Sequence, residues 1–227
     1  MALLGKGLLA IWNGITDSAE AEFVRWHIRE HIPERVGLPG FLRGRRYVAH
    51  RGHPKYFNFY ETQTPQTLES PAYRARLNAP TRWTQAVVKE FRDTSRTICE
   101  VVVSLGTGEG AWIEAIQIGA IRDRVAFSRV VASTLTKDIV ERDGIVGVHF
   151  VRGVEGHGNM STAESKLRNR PDAKCEWILL IEAAENSFLE ALDAGPCSDE
   201  TLLRLWPDAR VERGIYRFQY GLSRTEL

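Results

Sequence analysis

The order of predicted elements in the first hundred residues recurs in the second hundred, and this constrains the fold more than any single motif. Gly7 to Ile15 is apolar and strand-like. A helix then carries Phe23, Val24, Ile28 and Ile32 at helical spacing, with Thr16-Asp17-Ser18 as its candidate caps. Pro33 is expected to end that helix at His31 or Ile32, and Pro39-Gly40 restarts the chain as a strand from Phe41 to His50. A turn through Gly52 leads to the alternating strand KYFNFYET, two short helices (PAYRARLN and APTRWTQAVVKEFR) and the β-branched strand RTICEVVVSL. The order is β, α, β, β, α, β.

After the glycine-rich link 106–110 the same order returns. AWIEAIQI reads as a strand, RVAFSRVVASTLTKDIVERDG as a helix stopped by Gly144, and IVGVHFVRG as the counterpart of PGFLRGRR, with Gly147 in the place of Gly40. KCEWILLIEAA, the helices NSFLEALDAG and DETLLRLW, and GIYRFQYGL complete the copy. A period of about 105 residues is too long for a solenoid and suits two copies of one small domain, 1–107 and 108–227. A four-stranded sheet with both helices on one face leaves its other face bare, and two copies can cover each other. The predicted fold is therefore α+β, two tandem ferredoxin-like repeats packed sheet to sheet as an intramolecular α/β barrel, with a cavity between the facing strands.

Composition narrows the function classes. The chain has 227 residues, and its 30 basic and 29 acidic side chains give a formal charge of +1, so there is no electrostatic footprint for nucleic acid or an anionic membrane. The apolar run GLLAIW is too short for a signal peptide or a spanning helix. Cys99, Cys175 and Cys197 lie in no ligand spacing and read as reduced thiols, which points to a cytoplasmic location. Cys99 and Cys175 are placed in strands, as small buried residues.

The densest chemistry lies between Phe23 and His50. His27 and His31 stand four residues apart on one helix face, and imidazole titrates near neutrality, so both are candidate general acids or bases. Arg45 and Arg46 occupy opposite faces of one strand, and Arg46 is taken as the one facing the cavity, ready to meet a substrate carboxylate or an enolate. Phe57 and Phe59 are expected under the helices, which leaves Tyr56, Asn58 and Tyr60 to line the cavity with Trp12 and His149. Tyr60 joins His31, His27 and Arg46 as a candidate catalytic residue; Trp12, Tyr56, Asn58 and His149 are candidate substrate contacts. Each also has a structural reading as a satisfied core residue or an ion pair. His50, His53 and His157 are placed in turns or loops without a role. His27-Ile28-Arg29-Glu30-His31 satisfies the H-x-x-E-H zinc signature, but no third ligand follows from spacing, so no metal is assigned. GTGEGA imitates a dinucleotide turn, yet a strand rather than a helix follows it.

The segment WHxxxHIPE (26–34) followed by PGFLRGRRY (39–47) resembles the tandem-repeat relatives of EthD-like and antibiotic-biosynthesis-monooxygenase-like proteins in the dimeric α/β-barrel superfamily. Members of that superfamily share a shape while acting as cofactor-independent monooxygenases, isomerases, dehydratases, haem enzymes or stress-response proteins. The resemblance implies the barrel and places any chemistry on the first repeat, because the second repeat's helix has no histidine. The expectation is a cofactor-independent enzyme using acid/base chemistry on a small, aromatic or enolisable molecule, as a lyase, isomerase or monooxygenase. The alternatives are a haem-binding barrel with His31 or His149 as axial ligand, and a non-catalytic small-molecule binder. A homodimer formed through an outer strand is compatible with this plan.

Overall fold

A computed structural model describes residues 2–155, 162–167 and 173–227, and His157 lies outside the described residues. Eight strands close into a barrel: β1 (Gly7–Ile15), β2 (Phe41–Arg51), β3 (Tyr56–Thr62), β4 (Phe91–Gly106), β5 (Trp112–Gly119), β6 (Ile145–Gly153), β7 (Trp177–Ala183) and β8 (Arg210–Ser223). Around the barrel the order is β1-β3-β2-β8-β5-β7-β6-β4, every pairing antiparallel. In the first half the outer strands are β4 and β2, in the second β8 and β6, and the halves are sewn together by β2–β8 and β4–β6. Closure leaves no unpaired edge among these strands, so the expected association through an outer strand has no template.

Register shows which residues are equivalent. Arg45 faces Phe59 and Arg43 faces Glu61 across β2–β3, while His149 faces Leu180 and Gly147 faces Glu182 across β6–β7. Gly147 thus corresponds to Arg43. The counterpart of Gly40 is Gly144, because both end the long helix and enter the next strand with positive φ (84° and 71°), a conformation open to glycine without strain.

Alternation divides each strand between the barrel interior and the layer under the helices. The interior takes Trp12, Tyr47, Phe57, Phe59, Ile113, Ile178, Leu180 and Tyr216 in one apolar cluster, with Trp12 stacked on Phe57 at 4.5 Å. The expected faces of β3 are therefore reversed: Phe57 and Phe59 point inward, and Tyr56, Asn58 and Tyr60 point to the helices. Two facing sheets need apolar bulk from both sides, and a phenylalanine fills that space without a hydroxyl to satisfy. The expected chamber between the sheets is reduced to an open cleft of about 910 Å³ at one end of the barrel, lined by Trp12, Ser95, Gln117, Cys175 and Glu212 among others. Of the site residues expected from sequence, Trp12 alone lines it.

Pro33 does not end the first helix. Helical backbone runs through Glu20–Trp26, a π segment His27–His31 and Ile32–Val36. The missing N–H of Pro33 falls where the wide π turn hands over to α geometry, a point at which the hydrogen-bond ladder is already out of step. Thr16 does not cap this helix either, since its hydroxyl donates to Glu90 at 2.8 Å. The second half has the same run, Arg124–Val130, Val131–Leu135 (again π) and Thr136–Val140. Cys175 precedes β7 rather than lying in it, and all three cysteines are free. No helix among the described residues is long and apolar enough to cross a membrane.

Candidate active site between the first helix and the sheet

In the second half, the layer between helix and sheet is mainly an apolar core of Phe127, Val131, Phe150, Trp177, Leu179 and Ile181, with the buried Glu114 paired to Arg213 at 3.2 Å. The same layer of the first half is apolar at Phe23, Ile32, Val36 and Phe41 but also carries His27, His31, Asn58 and Tyr60. Val131 and Leu135 correspond to His27 and His31, and Leu179 and Ile181 to Asn58 and Tyr60, by the matching π segments and strand registers. A shared backbone frame thus carries two different contents.

The two imidazoles stack at 5.4 Å between ring centroids, His27 also lies 5.0 Å from Phe23, and His31 lies 4.2 Å from Trp26. The indole of Trp26 is fixed in turn, donating to Glu30 (3.1 Å) and Thr84 (3.2 Å). His27 Nε2 sits 3.5 Å from Tyr60 Oη, and its Nδ1 has no hydrogen-bonding partner among the described residues. Burial, with Arg46 and Arg35 nearby, pushes the His27 pKa well below the usual imidazole range, so the ring is neutral at physiological pH. Burial likewise pushes the Tyr60 phenol above its ordinary value and keeps it a hydrogen-bond donor. Tyr60 owes its position to Gly44 opposite it on β2: a Cβ there would stand 2.9 Å from the Tyr60 ring.

His31, Trp26 and Tyr60, but not His27, border a cavity of about 40 Å³ that is walled also by Arg35, Tyr73, Arg96 and Glu164. Arg35 pairs with Glu164 at 2.5 Å and with Glu34 at 2.8 Å, and Arg96 donates to Tyr73 Oη at 2.9 Å. Burial would lower the Arg35 pKa, but Glu164, Tyr73 and Glu34 outweigh it and hold the guanidinium charged.

The structure therefore brings His27, His31 and Tyr60 together, with Asn58 in the same layer, donating to Asn13 at 2.8 Å. Arg46 also faces the helix rather than the space between the sheets, donating to Gln219 (3.0 Å) and Val24 O (3.4 Å). Arg45 is the arginine that points into the barrel, over the Phe59 ring at 4.4 Å. Tyr56 donates to Glu20 at 2.6 Å near the start of the helix, and Trp12 and His149 lie on the other face of the sheet. Arg35, Trp26, Tyr73, Arg96 and Glu164 were not singled out by sequence. Arg35 had a signal, four residues beyond His31, which a helix ended at Pro33 discards. Glu164 lies in a loop and had none. Among the described residues no group of three or more His, Cys, Asp or Glu is placed to hold a metal ion.

No protein-family model matches the chain, and no curated protein sequence matches it. Solved structures do match over nearly its whole length. An anthrone oxidase-like protein aligns with a TM-score of 0.69 at 11% identity, covering 100% of this chain and 98% of the other. A candidate monooxygenase of Fusobacterium nucleatum subsp. nucleatum aligns with a TM-score of 0.62 at 7% identity (97% and 96% covered), and a candidate chlorite dismutase with 0.56 at 12% (96% of each). At such identities the likeness is one of fold, and the tandem ferredoxin-like barrel expected from the sequence is the fold these proteins share.

Proposed function

We propose that the first half is an enzyme's working half, and that its pocket binds a small aromatic or enolisable molecule and moves a proton on it. The observation that carries this reading is the contrast between the halves: the same helix with the same π segment holds Val131 and Leu135 over a mainly apolar core in one, and in the other two buried, stacked imidazoles of which His31 walls a cavity. Stability alone favours an apolar residue in place of His27, since burying that ring with its Nδ1 unpaired among the described residues is unfavourable.

His31, on the cavity wall, is the group that takes the proton; His27, neutral and stacked behind it, lies within reach of Tyr60. Tyr60 Oη and the positive charge of Arg35 and Arg96 face the place where an enolate or phenolate oxygen would develop. Trp26, Tyr73 and the apolar side chains of Leu9, Ile11 and Val88 give the flat walls an aromatic ring needs. Lyase, isomerase and oxygenase chemistry all start from the same deprotonated substrate. The domain division at 107/108 is part of this proposal, with function placed on 1–107 and support on 108–227. The structural relatives named above include an anthrone oxidase-like protein and a candidate monooxygenase, which supports the reading without fixing the reaction.

Of the two candidate axial ligands for haem, His149 is engaged through both ring nitrogens, Nδ1 with Ser104 at 2.8 Å and Nε2 with Glu182 at 3.1 Å, so a haem reading rests on His31.

The test is solvent-deuterium exchange into enolisable ketones and titration with simple phenols, followed by tryptophan fluorescence, for the wild type and His31→Ala. Loss of exchange in the variant with the fold retained supports the assignment. Equal exchange and binding in both proteins removes it.

A further inference from the structure

What the ligand carries can also be read, on the premise that the pocket just described is the working site. Arg35 is buried at 2% exposure, and its guanidinium lies 5.8 Å from the Tyr73 ring. One of its two carboxylate partners, Glu34, is its neighbour in the chain. The other, Glu164, arrives from the second half, in the link 154–176 between β6 and β7. Glu164 is held at the pocket by backbone bonds to the first half: its N–H donates to Leu77 O at 3.0 Å, and the N–H of Ala163 donates to Asn78 Oδ1 at 3.1 Å. Thr162 and Ser165 lock the turn, each backbone N–H donating to the other's hydroxyl.

Two features show that this ion pair is not there for the fold. The residue equivalent to Arg35 in the second half is Ile139, fully buried in an ordinary apolar core. Replacing a buried ion pair by apolar side chains is often neutral or stabilising, so the apolar solution was open to the first half too. The first half's own link between the equivalent strands is only 52–55, so the crossing loop is an addition to one half for the benefit of the other. With Glu164 in its wall the pocket is closed down to about 40 Å³.

We propose that Glu164 is an internal stand-in for the ligand: the substrate is a small carboxylic acid whose carboxylate takes the place of Glu164 on Arg35, and the exchange releases 162–167 and opens the pocket. A guanidinium accepts one carboxylate as readily as another, so the exchange leaves no buried charge unpaired, and the displaced Glu164 returns to water. A neutral ligand of the same shape would have to strip Arg35 of this partner without replacing it, which is strongly unfavourable in a buried site. The pocket thus selects acids over their amides.

Benzoate and benzamide, alike in size and differing in charge, are the probes, with affinity followed by calorimetry. Glu164→Gln is expected to bind benzoate about tenfold tighter than the wild type, because the competing charge is gone while the shape is kept, and benzoate is expected to bind both proteins more tightly than benzamide. Adding Arg35→Met to that variant should abolish the gain. In the unaltered protein benzoate should speed amide hydrogen exchange at residues 163–165, the reverse of ordinary protection, and benzamide should not. Benzamide binding the wild type as tightly as benzoate, a gain that survives loss of Arg35, or benzoate protecting 163–165 each overturns the proposal. If benzamide binds the wild type and benzoate gains nothing in Glu164→Gln, this inference fails while the pocket stands. If neither probe binds any of the three proteins, and simple phenols also fail to bind, the pocket reading fails with it.

Discussion

Arg45 on β2 and Glu182 on β7 meet inside the barrel from opposite halves of the chain, Nη1 lying 2.9 and 3.0 Å from the two carboxylate oxygens. Glu61, the counterpart of Glu182, takes Arg43 (2.7 Å) and the other Nη of Arg45 (3.1 Å), while Glu182 also accepts from Gly110 N at 3.0 Å and meets His149. Each half thus supplies one buried carboxylate, the half-exposed Glu109 of the second half adds a third on Arg43, and the first half supplies both arginines. Removing one partner leaves a buried charge uncompensated, so Glu182→Gln should lower unfolding stability by about 3 to 5 kcal/mol in urea titrations without changing ligand affinity in the pocket. A loss under about 1 kcal/mol would show that the network is solvated.

The same carboxylate sets an acid limit. Burial alone would raise the Glu182 pKa, but Arg45 and His149 hold it down to about 2. Unfolded, it would titrate near the ordinary carboxylate value, so between there and about 2 the unfolded state binds more protons and stability falls as pH falls. The contribution is complete above about pH 5 and amounts to a loss on the order of 3 kcal/mol on acidification. Stability measured from pH 6 to 2.5 should show this slope in the wild type, and a shallower one in Glu182→Gln.

His27 has a pH signature of opposite chemistry and the same direction. Its pKa is depressed in the folded state, so below the ordinary imidazole range the unfolded chain takes up a proton that the folded chain refuses, and stability falls as pH drops through that range. Ring nitrogen shifts in NMR should report a neutral His27 at pH 6. A ring titrating at its ordinary value would mean that the site is open to water.

Gly44→Ala tests the support of Tyr60. The added Cβ would meet the Tyr60 ring at 2.9 Å and Ile32 at 3.1 Å, both buried, so the ring must shift. We expect a loss of about 1 to 3 kcal/mol together with weakened binding of phenols. Tyr60→Phe, which keeps the ring and removes the donor, should impair turnover with a smaller change in stability. Equal turnover in Tyr60→Phe would remove the phenol from the mechanism.

Local rules are what the sequence by itself determined. An apolar run placed β1 at Gly7 to about Ile15, the segment PAYRARLN was legible as the short helix Pro71–Asn78, and the recurring element order implied two like halves. The absence of histidine from the second long helix left the stacked imidazole pair to the first half alone, because side-chain type is visible in the chain. Tertiary structure decided which way each face pointed. Alternation in Tyr56–Thr62 or at Arg45–Arg46 defines two faces that are equivalent until something packs on one of them, and barrel closure put Phe57, Phe59 and Arg45 inside. The same closure moved the imidazoles' hollow from between the sheets to beneath the helix. Continuation of that helix through Pro33 brought in Arg35, and a loop from the far half brought in Glu164, because contacts between distant segments follow from packing, which no local pattern encodes.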